Sequence, residues 1–407
     1  MHDEIAAPVP LAAMQCDYFD RGRCRSCTLM GMPYAAQLAS KQERCAAALA
    51  EVAPSVTWLP AVAGPESAFR NKAKLVVAGR AGAVTLGILD DAGRGVDLRE
   101  CRLYEPGLAR TFPVLADFID SLRLEPYDVP ARRGQLKYLI VTHSPVDELM
   151  IRFVLRTGHE VPRIRKALPR LVAALPRIAV VSVNLQPEHK AILEGDTEIL
   201  LTERSTLPMR VNDVVLGLRP NSFFQTNTAV AAALYRQARE WVEGRSPASV
   251  WDLYCGVGGF ALHVAGPDLA VLGIEVASNA VESALASASD LRRQHPDMRP
   301  IRFTTADATA HVVTDLAADL VIVNPPRRGI GPDLAGRLEA SAVRDVIYSS
   351  CNVDSLAGDL AAMPSFCVLE ARLFDMFPQT NHHEVMVRLH RRGRTGRADV
   401  PATSQPT

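Results

Sequence analysis

Four short apolar runs in the second half of the chain alternate with helical stretches. The runs lie at 250–253, 270–274, 320–323 and 346–348, and the helical stretches at 260–264, 279–289, 333–340 and 354–362. A strand that is apolar on both faces is typical of a parallel sheet covered by helices on both sides. The pattern therefore predicts a doubly wound, Rossmann-like α/β domain whose ligand lies at the carboxyl ends of the strands.

The first half of the chain has a different pattern. Short β-branched runs over residues 69–218, separated by Gly, Pro, Asp or Asn, predict an antiparallel sheet with a helix at 163–174. A length of 407 residues suits two domains with separate cores. The predicted division, in chain order, is a disordered extension (1–13), an α+β domain with the antiparallel sheet (14–212), the doubly wound domain (213–390) and a disordered tail (391–407).

Net charge gives no sign of a nucleic-acid partner, because 45 basic side chains balance 45 acidic ones. Basic side chains nevertheless cluster in the first half, at Arg21/Arg23/Arg25, Arg70/Lys72/Lys74, Arg132/Arg133/Lys137 and Arg163/Arg165/Lys166/Arg170. Together these clusters predict a surface that binds phosphates. No apolar run approaches the roughly 20 residues that span a bilayer, and the N-terminus lacks a secretory pattern, so we expect a cytoplasmic protein.

Three of the eight cysteines, Cys16, Cys24 and Cys27, lie within twelve residues. In a chain without a secretory signal, such a group is more often a metal or cluster site than a disulfide framework. Spacing alone leaves a zinc site and an iron–sulfur cluster equally possible, because both take four thiolates. The sequence contexts of Cys45, Cys255 and Cys367 predict structural roles.

A glycine-rich turn follows the first parallel strand. It has the form D-x-x-x-G-x-G-G from Asp252, contains Gly256, and lacks the last glycine of the dinucleotide fingerprint. Glu275 ends the next strand, where a carboxylate can accept both ribose hydroxyls. The pair predicts a nucleoside cofactor, with S-adenosylmethionine favoured over a dinucleotide.

Further polar residues follow the later strands at the same edge. Asp307 is either a cofactor contact or a helix N-cap, and Asn324, before two prolines, offers both a donor and an acceptor to a planar base. Cys351 stands at a strand-to-helix junction, where a helix N-terminus favours a thiolate. Near the C-terminus, Glu384 is a candidate base, with His382 and His383 as competitors.

A thiol and a base at one edge suit methylation at C5 of uracil. That carbon reacts with a sulfonium methyl group only after a soft nucleophile adds at C6. A base must then remove the C5 proton so that the nucleophile can leave. Cys351 and Glu384 are the residue types that these two steps need.

Several motifs together strongly resemble those of the RNA (uracil-5-)-methyltransferases. They are SFFQTN at 222–227, DLYCGVG at 252–258, NPPR at 324–327, SSCN at 349–352 and DMFPQTNHHE at 375–384. The segments 14–27 and 69–74 narrow the resemblance to the bacterial branch that acts on 23S ribosomal RNA. The resemblance covers about residues 14–388, nearly the whole chain.

The resemblance implies a role for each matching residue. The implied contacts to S-adenosylmethionine are Gln225, Tyr254, Glu275 and Asn324, to which the strand-end pattern adds Gly256 and Asp307. Cys351 is implied as the nucleophile and Glu384 as the proton-abstracting base, and the implied ligands of a [4Fe-4S] cluster are Cys16, Cys24, Cys27 and Cys101. The implied substrate is a flipped-out uridine of 23S ribosomal RNA, and the branch resemblance points to uracil 747. No obligate protein partner is evident.

Three other interpretations compete with this one. An amino-group methyltransferase also uses Asn-Pro-Pro, although such sites usually place an aromatic residue where Arg327 stands. Radical S-adenosylmethionine chemistry needs closer cysteines than Cys16 and Cys24. A non-catalytic iron–sulfur RNA-binding assembly factor would not need Cys351, Glu384 or the glycine-rich turn.

Overall fold

The computed structural model describes residues 14–189, 192–312 and 318–392. The predicted extension at 1–13 lies outside the described residues. The predicted tail (391–407) lies outside them from residue 393 onwards, and its first residue, Arg391, is instead the last residue of a strand. The helices are α1 Asp17–Asp20, α2 Tyr34–Leu49, α3 Pro106–Ala109, α4 Thr111–Ser121, α5 Val161–Ala174, α6 Thr228–Glu243, α7 Gly259–Val264, α8 Ser278–Gln294, α9 Ala308–Val312, α10 Gly331–Ala340 and α11 Val353–Ala361, with a 3₁₀ turn at Gly158–Glu160. The strands are β1 Thr57–Trp58, β2 Lys72–Arg80, β3 Ala83–Leu89, β4 Gly95–Asp97, β5 Leu136–His143, β6 Leu149–Leu155, β7 Ile178–Leu185, β8 Thr197–Leu200, β9 Leu207–Val211, β10 Val214–Leu218, β11 Ser249–Leu253, β12 Ala270–Glu275, β13 Ile301–Thr305, β14 Leu320–Val323, β15 Asp345–Ser350, β16 Phe366–Phe374 and β17 Glu384–Arg391.

The second half forms an eight-stranded sheet in the order β1-β16-β17-β15-β14-β11-β12-β13. Strands β11 to β15 pair in parallel, and β17 is antiparallel to both β15 and β16. Helices cover both faces, and one core cluster lies on each side. The strand order reverses between β11 and β14, which is where a doubly wound sheet opens a crevice for its ligand. The predicted doubly wound α/β fold is confirmed.

The first half forms a seven-stranded sheet in the order β4-β3-β2-β5-β6-β7-β8. Its pairs are antiparallel except β6 and β7, which run parallel. The exception arises because α5 connects these two strands, and a crossover helix returns the chain to the same end of the sheet. One face packs on α4 and α5 through an aliphatic core, while the other face carries Lys72, Lys74 and Arg152.

Two elements before residue 69 pack on the eight-stranded sheet rather than on the seven-stranded one. Strand β1 pairs in parallel with β16, and α2 packs on β16 and α11 and contributes Cys45 and Leu49 to the core on one side of the sheet. Residues 212 and 213, where the predicted division falls, form the turn of the β9–β10 hairpin. No helix in the described part of the chain is long and apolar enough to cross a membrane.

Candidate active site

A cavity of about 580 Å³ opens at the carboxyl ends of the parallel strands, beside the reversal between β11 and β14. Eight of its lining residues are the predicted catalytic and cofactor residues, Gln225, Tyr254, Gly256, Glu275, Asp307, Asn324, Cys351 and Glu384. They come from seven separate segments of the chain. The structure therefore brings all eight to one place.

The glycine-rich turn and Glu275 are joined by hydrogen bonds. The Gly256 N–H donates to Glu275 Oε2 (3.1 Å), and the Ala277 N–H donates to Glu275 Oε1 (2.9 Å). Gly256 and Gly258 have φ of 54° and 86°, in the left-handed region that glycine adopts without steric cost. These bonds fix the orientation of a half-buried carboxylate beside the turn.

Asp252, the acidic residue that ends β11, has a structural role. Its carboxyl is fully buried and accepts a hydrogen bond from the Ala261 N–H (2.9 Å), which ties β11 to α7. Burial raises the pKa of Asp252 to about 7. Asp252 is absent from the cavity lining, so it supports the turn from below.

Of the two roles predicted for Asp307, the structure shows the helix N-cap, and the residue also lines the cavity. Its Oδ1 accepts a hydrogen bond from the Ala310 N–H (2.9 Å), which is N-cap geometry for α9, and the side chain is exposed at the cavity wall. Burial and the negative charge of Asp307 raise the pKa of the neighbouring Tyr254. The cap orients Asp307 without enclosing it.

The Asn-Pro-Pro loop is held by residues outside the cavity. Asp359 accepts hydrogen bonds from the backbone N–H groups of Ile330 (2.9 Å) and Gly331 (3.1 Å), and the Asn352 side chain donates to the Arg327 carbonyl (3.0 Å). Asn324 itself is half-buried and makes no side-chain hydrogen bond to another described residue. Its amide is therefore available to a ligand.

Cys351 lies two residues before α11, at the N-terminal end where the sequence placed it. Burial is the main cause that raises the pKa of its thiol, and the nearby charge of Glu384 raises that pKa further. The positive charge of Arg327 acts in the opposite direction. Desolvation therefore outweighs the effect of the helix terminus, which was expected to favour a thiolate.

Glu384, the first residue of β17, is the buried carboxyl of the cavity. Burial raises its pKa to about 7, against the opposing effect of a hydrogen bond that Ser349 Oγ donates to its Oε2 (3.2 Å). A carboxyl with this pKa exchanges a proton near neutral pH. The competing histidines do not line the cavity, since His382 is exposed and His383 is buried against Cys45, with 3.0 Å between His383 Nε2 and Cys45 Sγ.

Gln225 enters the cavity from the segment before α6. The Asn71 side chain donates to the Gln225 carbonyl (3.0 Å), and Asn227 caps α6 by accepting a hydrogen bond from the Val230 N–H (3.3 Å). The neighbouring Phe223 is 76% exposed at the cavity wall, an unusual position for an aromatic side chain. The sequence analysis assigned no role to Phe223, although the SFFQTN motif marked its position.

Two more residues of the site were missed. Tyr235 of α6 lines the cavity with its ring edge-to-face against Phe260, and Ser349 bonds to Glu384. The position of Ser349 in the SSCN motif was the available signal. Tyr235 gave none, because its helix was not predicted.

The cysteines predicted as cluster ligands lie near one another. The other three, Cys101, Cys24 and Cys16, add to burial in raising the pKa of Cys27 to about 12. Cys27 and Cys101 pack with Phe69 and Leu103. Within residues 14–189, 192–312 and 318–392, however, no three His, Cys, Asp or Glu side chains are arranged to hold a metal ion. The donor type fits a cluster, but a formed coordination site is not present.

The predicted basic clusters differ in how far they are accessible. Arg163, Arg165, Lys166 and Arg170 lie on the exposed side of α5. Lys137, in contrast, is only 5% exposed and donates to the Gln186 side chain and the Glu188 carbonyl. Its expected place on a phosphate-binding surface is wrong, because the Lys137 ammonium is turned into the protein.

Comparisons with known proteins agree with this geometry. A family model described as tRNA (uracil-5-)-methyltransferase matches residues 190–392. The chain is 48% identical to the 23S rRNA (uracil(747)-C(5))-methyltransferase RlmC of Halothiobacillus neapolitanus, over 93% of this chain and 100% of that protein. It is 46% identical to the Escherichia coli K12 protein of that name, over 92% of this chain and 99% of the other.

A solved structure is similar over most of its length. It is the Pyrococcus abyssi tRNA (uracil-54, C5)-methyltransferase in complex with S-adenosyl-L-homocysteine, with a TM-score of 0.75 and 26% identity. The match covers 90% of this chain and 84% of that one.

Proposed function

This chain belongs to the RNA (uracil-5-)-methyltransferase family, and from that premise we propose that it methylates C5 of a uridine in 23S ribosomal RNA, with S-adenosylmethionine as methyl donor. The observation that carries the proposal is the presence of Cys351 and Glu384 in the same cavity as the six cofactor residues. With ribosomal RNA as its substrate, we propose that the protein works in the cytoplasm and without an obligate protein partner.

Different residues of the cavity would bind different parts of the cofactor. Tyr254 offers a flat ring, Glu275 a carboxylate for ribose hydroxyls, and Asn324 a donor and an acceptor for the base edge. Gln225, Gly256 and Asp307 complete this part of the wall. S-adenosylmethionine supplies an electrophilic methyl group, and these residues would hold it toward the side of the cavity that contains Cys351.

Cys351 begins the proposed reaction. Its thiolate forms a bond to C6 of the uracil, which makes C5 nucleophilic, and C5 then takes the methyl group while the sulfonium keeps the electron pair of the broken bond. Because burial raises the thiol pKa, the thiolate needs help, and Arg327 is the cation whose charge favours it.

Glu384 completes the reaction. Its carboxylate removes the proton from C5, the C5–C6 double bond forms again, and the Cys351 thiolate leaves. A pKa of about 7 suits this task, since about half of the carboxyl groups are ionised at neutral pH. Ser349 holds the carboxylate by its hydrogen bond.

The uridine must leave its RNA structure to reach the cavity. A base that is stacked or paired cannot present C6 to a thiol at the bottom of a pocket, so we propose that it is flipped out. Exposed Phe223 and the exposed Arg327 and Arg328 stand at the cavity wall, where an aromatic ring and two cations can receive a base and its phosphates.

We also propose that Cys16, Cys24, Cys27 and Cys101 are the ligands of a [4Fe-4S] cluster. The support is that thiolates are the ligands such clusters take, and that Cys16 and Cys24 lie close enough to raise the pKa of the Cys27 and Cys101 thiols. A cluster at this place would join the first residues of the described chain to the loop before α3. No step of the reaction runs through it.

Trapping with 5-fluorouracil tests the function. We expect incubation with S-adenosylmethionine and 23S RNA that contains 5-fluorouracil to give a denaturation-resistant adduct at Cys351, because fluorine at C5 cannot be removed as a proton. The adduct should be absent in Cys351→Ala and present in Cys367→Ala, a matched cysteine outside the cavity. Methyl transfer to normal RNA without an adduct would contradict the covalent mechanism and favour an amino-group methyltransferase. If neither an adduct nor methyl transfer is observed, the proposed function is contradicted.

A further inference from the structure

A second cavity lies on the seven-stranded sheet, away from the active site. Its volume is about 190 Å³, and its walls are Tyr127, Lys137, Tyr138 and His189 with three aliphatic side chains. We call these four residues the aromatic pocket. None of them belongs to the predicted catalytic, cofactor or cysteine sets, so the proposed reaction leaves the pocket without a role.

The side chains of the aromatic pocket are held in place by one another. The Tyr127 hydroxyl is hydrogen-bonded to His189 Nδ1 (2.8 Å), and their ring centroids are 6.1 Å apart. Lys137 Nζ lies 4.7 Å from the centroid of the Tyr127 ring. Gln186 and the Glu188 carbonyl accept hydrogen bonds from the Lys137 ammonium, which fix it against the Tyr127 ring in the pocket wall.

Strand β2 connects the aromatic pocket with the active site. At its start, the Asn71 side chain donates to the Gln225 carbonyl (3.0 Å) and to Thr228 Oγ1 (2.9 Å). Val76, five residues later, lines the pocket and pairs with Tyr138. Five residues of strand span about 17 Å.

The face of β2 between the two sites is cationic. Lys72 and Lys74 lie on the same face of the strand as Val76, because side chains alternate along it. Arg152 of β6 lies beside them. Glu194 pairs with both Arg152 and Lys74, and Glu198 pairs with Arg152, so three cations are opposed by two carboxylates and the face keeps an excess of positive charge. Near the pocket, Arg132 and Arg133 are exposed, and the charge of Arg156 reaches Lys137.

We propose that the aromatic pocket binds an unpaired nucleobase of the same RNA strand whose target uridine enters the active site. This inference rests on the proposed function. Its physical basis is a slot for one flat heterocycle, with aromatic and aliphatic walls, and with exposed cations nearby for the flanking phosphates. A base held in this pocket, at the other end of the strand that contacts the Gln225 segment, limits which uridine can reach Cys351, so the pocket contributes to the choice of target.

The test combines protein variants with RNA that lacks single bases. The RNA is a 23S fragment that the parent protein methylates, with an abasic nucleotide placed at each unpaired position in turn. The variants are His189→Ala and Tyr138→Leu, and His295→Ala is the matched control, an exposed histidine beyond α8. The dissociation constant of each RNA is measured by fluorescence anisotropy, and that of S-adenosylhomocysteine by calorimetry.

We expect one unpaired position besides the target at which removal of the base weakens parent binding about tenfold, the effect of one lost stacking contact. His189→Ala and Tyr138→Leu should bind the intact RNA about tenfold more weakly, and the same removal should then have little further effect. S-adenosylhomocysteine affinity should be unchanged in every variant. Because His189 is exposed, its variant remains informative even if Tyr138→Leu impairs folding.

Two results would overturn the inference while the proposed function stands. One is that the parent methylates the fragment and both variants bind it as tightly as His295→Ala does. The other is that removing each base weakens RNA binding by the same factor in the variants as in the parent. The weaker binding of the variants would then not come from a lost contact with that base. If the parent methylates no 23S fragment at all, the proposed function fails first.

Discussion

Replacing Glu384 with Gln should make the stability of the protein respond differently to pH. The pKa of this carboxyl is about 7 in the folded protein and lies near its ordinary value of 4.5 in the unfolded chain. The folded state therefore holds the proton more tightly, and Glu384 contributes stability below pH 4.5 that is lost as the pH rises through 7. Gln has nearly the same volume and no charge, so the variant removes this dependence.

The size of the effect follows from the shift in pKa. A shift of about 2.5 units at about 1.4 kcal/mol per unit gives about 3 kcal/mol, the cost of the buried charge well above pH 7. Relative to the parent, Glu384→Gln should thus gain about 3 kcal/mol of unfolding free energy between pH 4.5 and pH 8.5. The hydrogen bond from Ser349 favours the ionised carboxyl, and its effect is already contained in the pKa of about 7.

Urea unfolding at several pH values measures this difference. Glu282→Gln is the control, because Glu282 is a mostly exposed carboxyl paired with Arg219, and its difference from the parent should stay nearly flat over the same range. Methyl transfer should be lost in Glu384→Gln, since the amide cannot accept the C5 proton. A stability difference for Glu384→Gln that does not change with pH would refute the claim that burial holds this carboxyl protonated.

Two further predictions concern charges near the site. Arg327→Met should slow alkylation of Cys351 by iodoacetamide at pH 8, because the thiolate loses a nearby positive charge that favours it. Arg328→Met should leave the alkylation rate near that of the parent. Equal rates in all three proteins would contradict the role of Arg327. Lys41→Met should lower the unfolding free energy, measured in urea, by about 3–5 kcal/mol, because the buried Asp375 carboxyl loses Lys41 Nζ, which lies 2.6 Å from its Oδ1. Adding Asp375→Asn should recover most of this loss. No recovery in the double variant would contradict the explanation.

The sequence predicted the parallel strands well because each is a short apolar run between polar turns. The runs at 320–323 and 250–253 coincide with β14 and with β11 apart from one residue. The same periodicity places residues at strand ends, and strand ends of a parallel sheet meet at one edge. For this reason the candidate site could be predicted from residues that are distant in sequence.

Other features depend on packing that a single sequence does not display. Lys137 reads as part of a basic cluster, but its burial depends on Gln186 and Glu188, about fifty residues away. The thiol pKa of Cys351 depends on desolvation inside a cavity, which outweighs the helix terminus that the sequence reveals. In both cases local charge suggested one environment and the tertiary structure supplied another.

The contacts between helix α2 and the segment before the proposed base, Glu384, also could not be predicted from the sequence, although the contacting residues of α2 are regularly spaced. The buried face of α2 carries Gln37, Lys41 and Cys45, four residues apart, as one side of a helix requires. Each contacts the segment that precedes Glu384. Gln37 is bonded to Gln379, Lys41 to Asp375 and Cys45 to His383.

These three contacts explain why α2 packs on the eight-stranded sheet and not beside the cysteines that precede it in the sequence. The segment from Asp375 to His383 must turn back sharply so that β17 can begin with Glu384 inside the cavity, and Gln379 adopts φ of 70° within it. Such a loop keeps one conformation only if its polar groups are bonded. Helix α2 supplies those bonds, and the Leu29 N–H, next to the cysteine segment, donates to the Gln379 carbonyl (3.0 Å). The N-terminal segment therefore helps to position the proposed base, and a division of the chain at residue 212 separates residues that act on one loop.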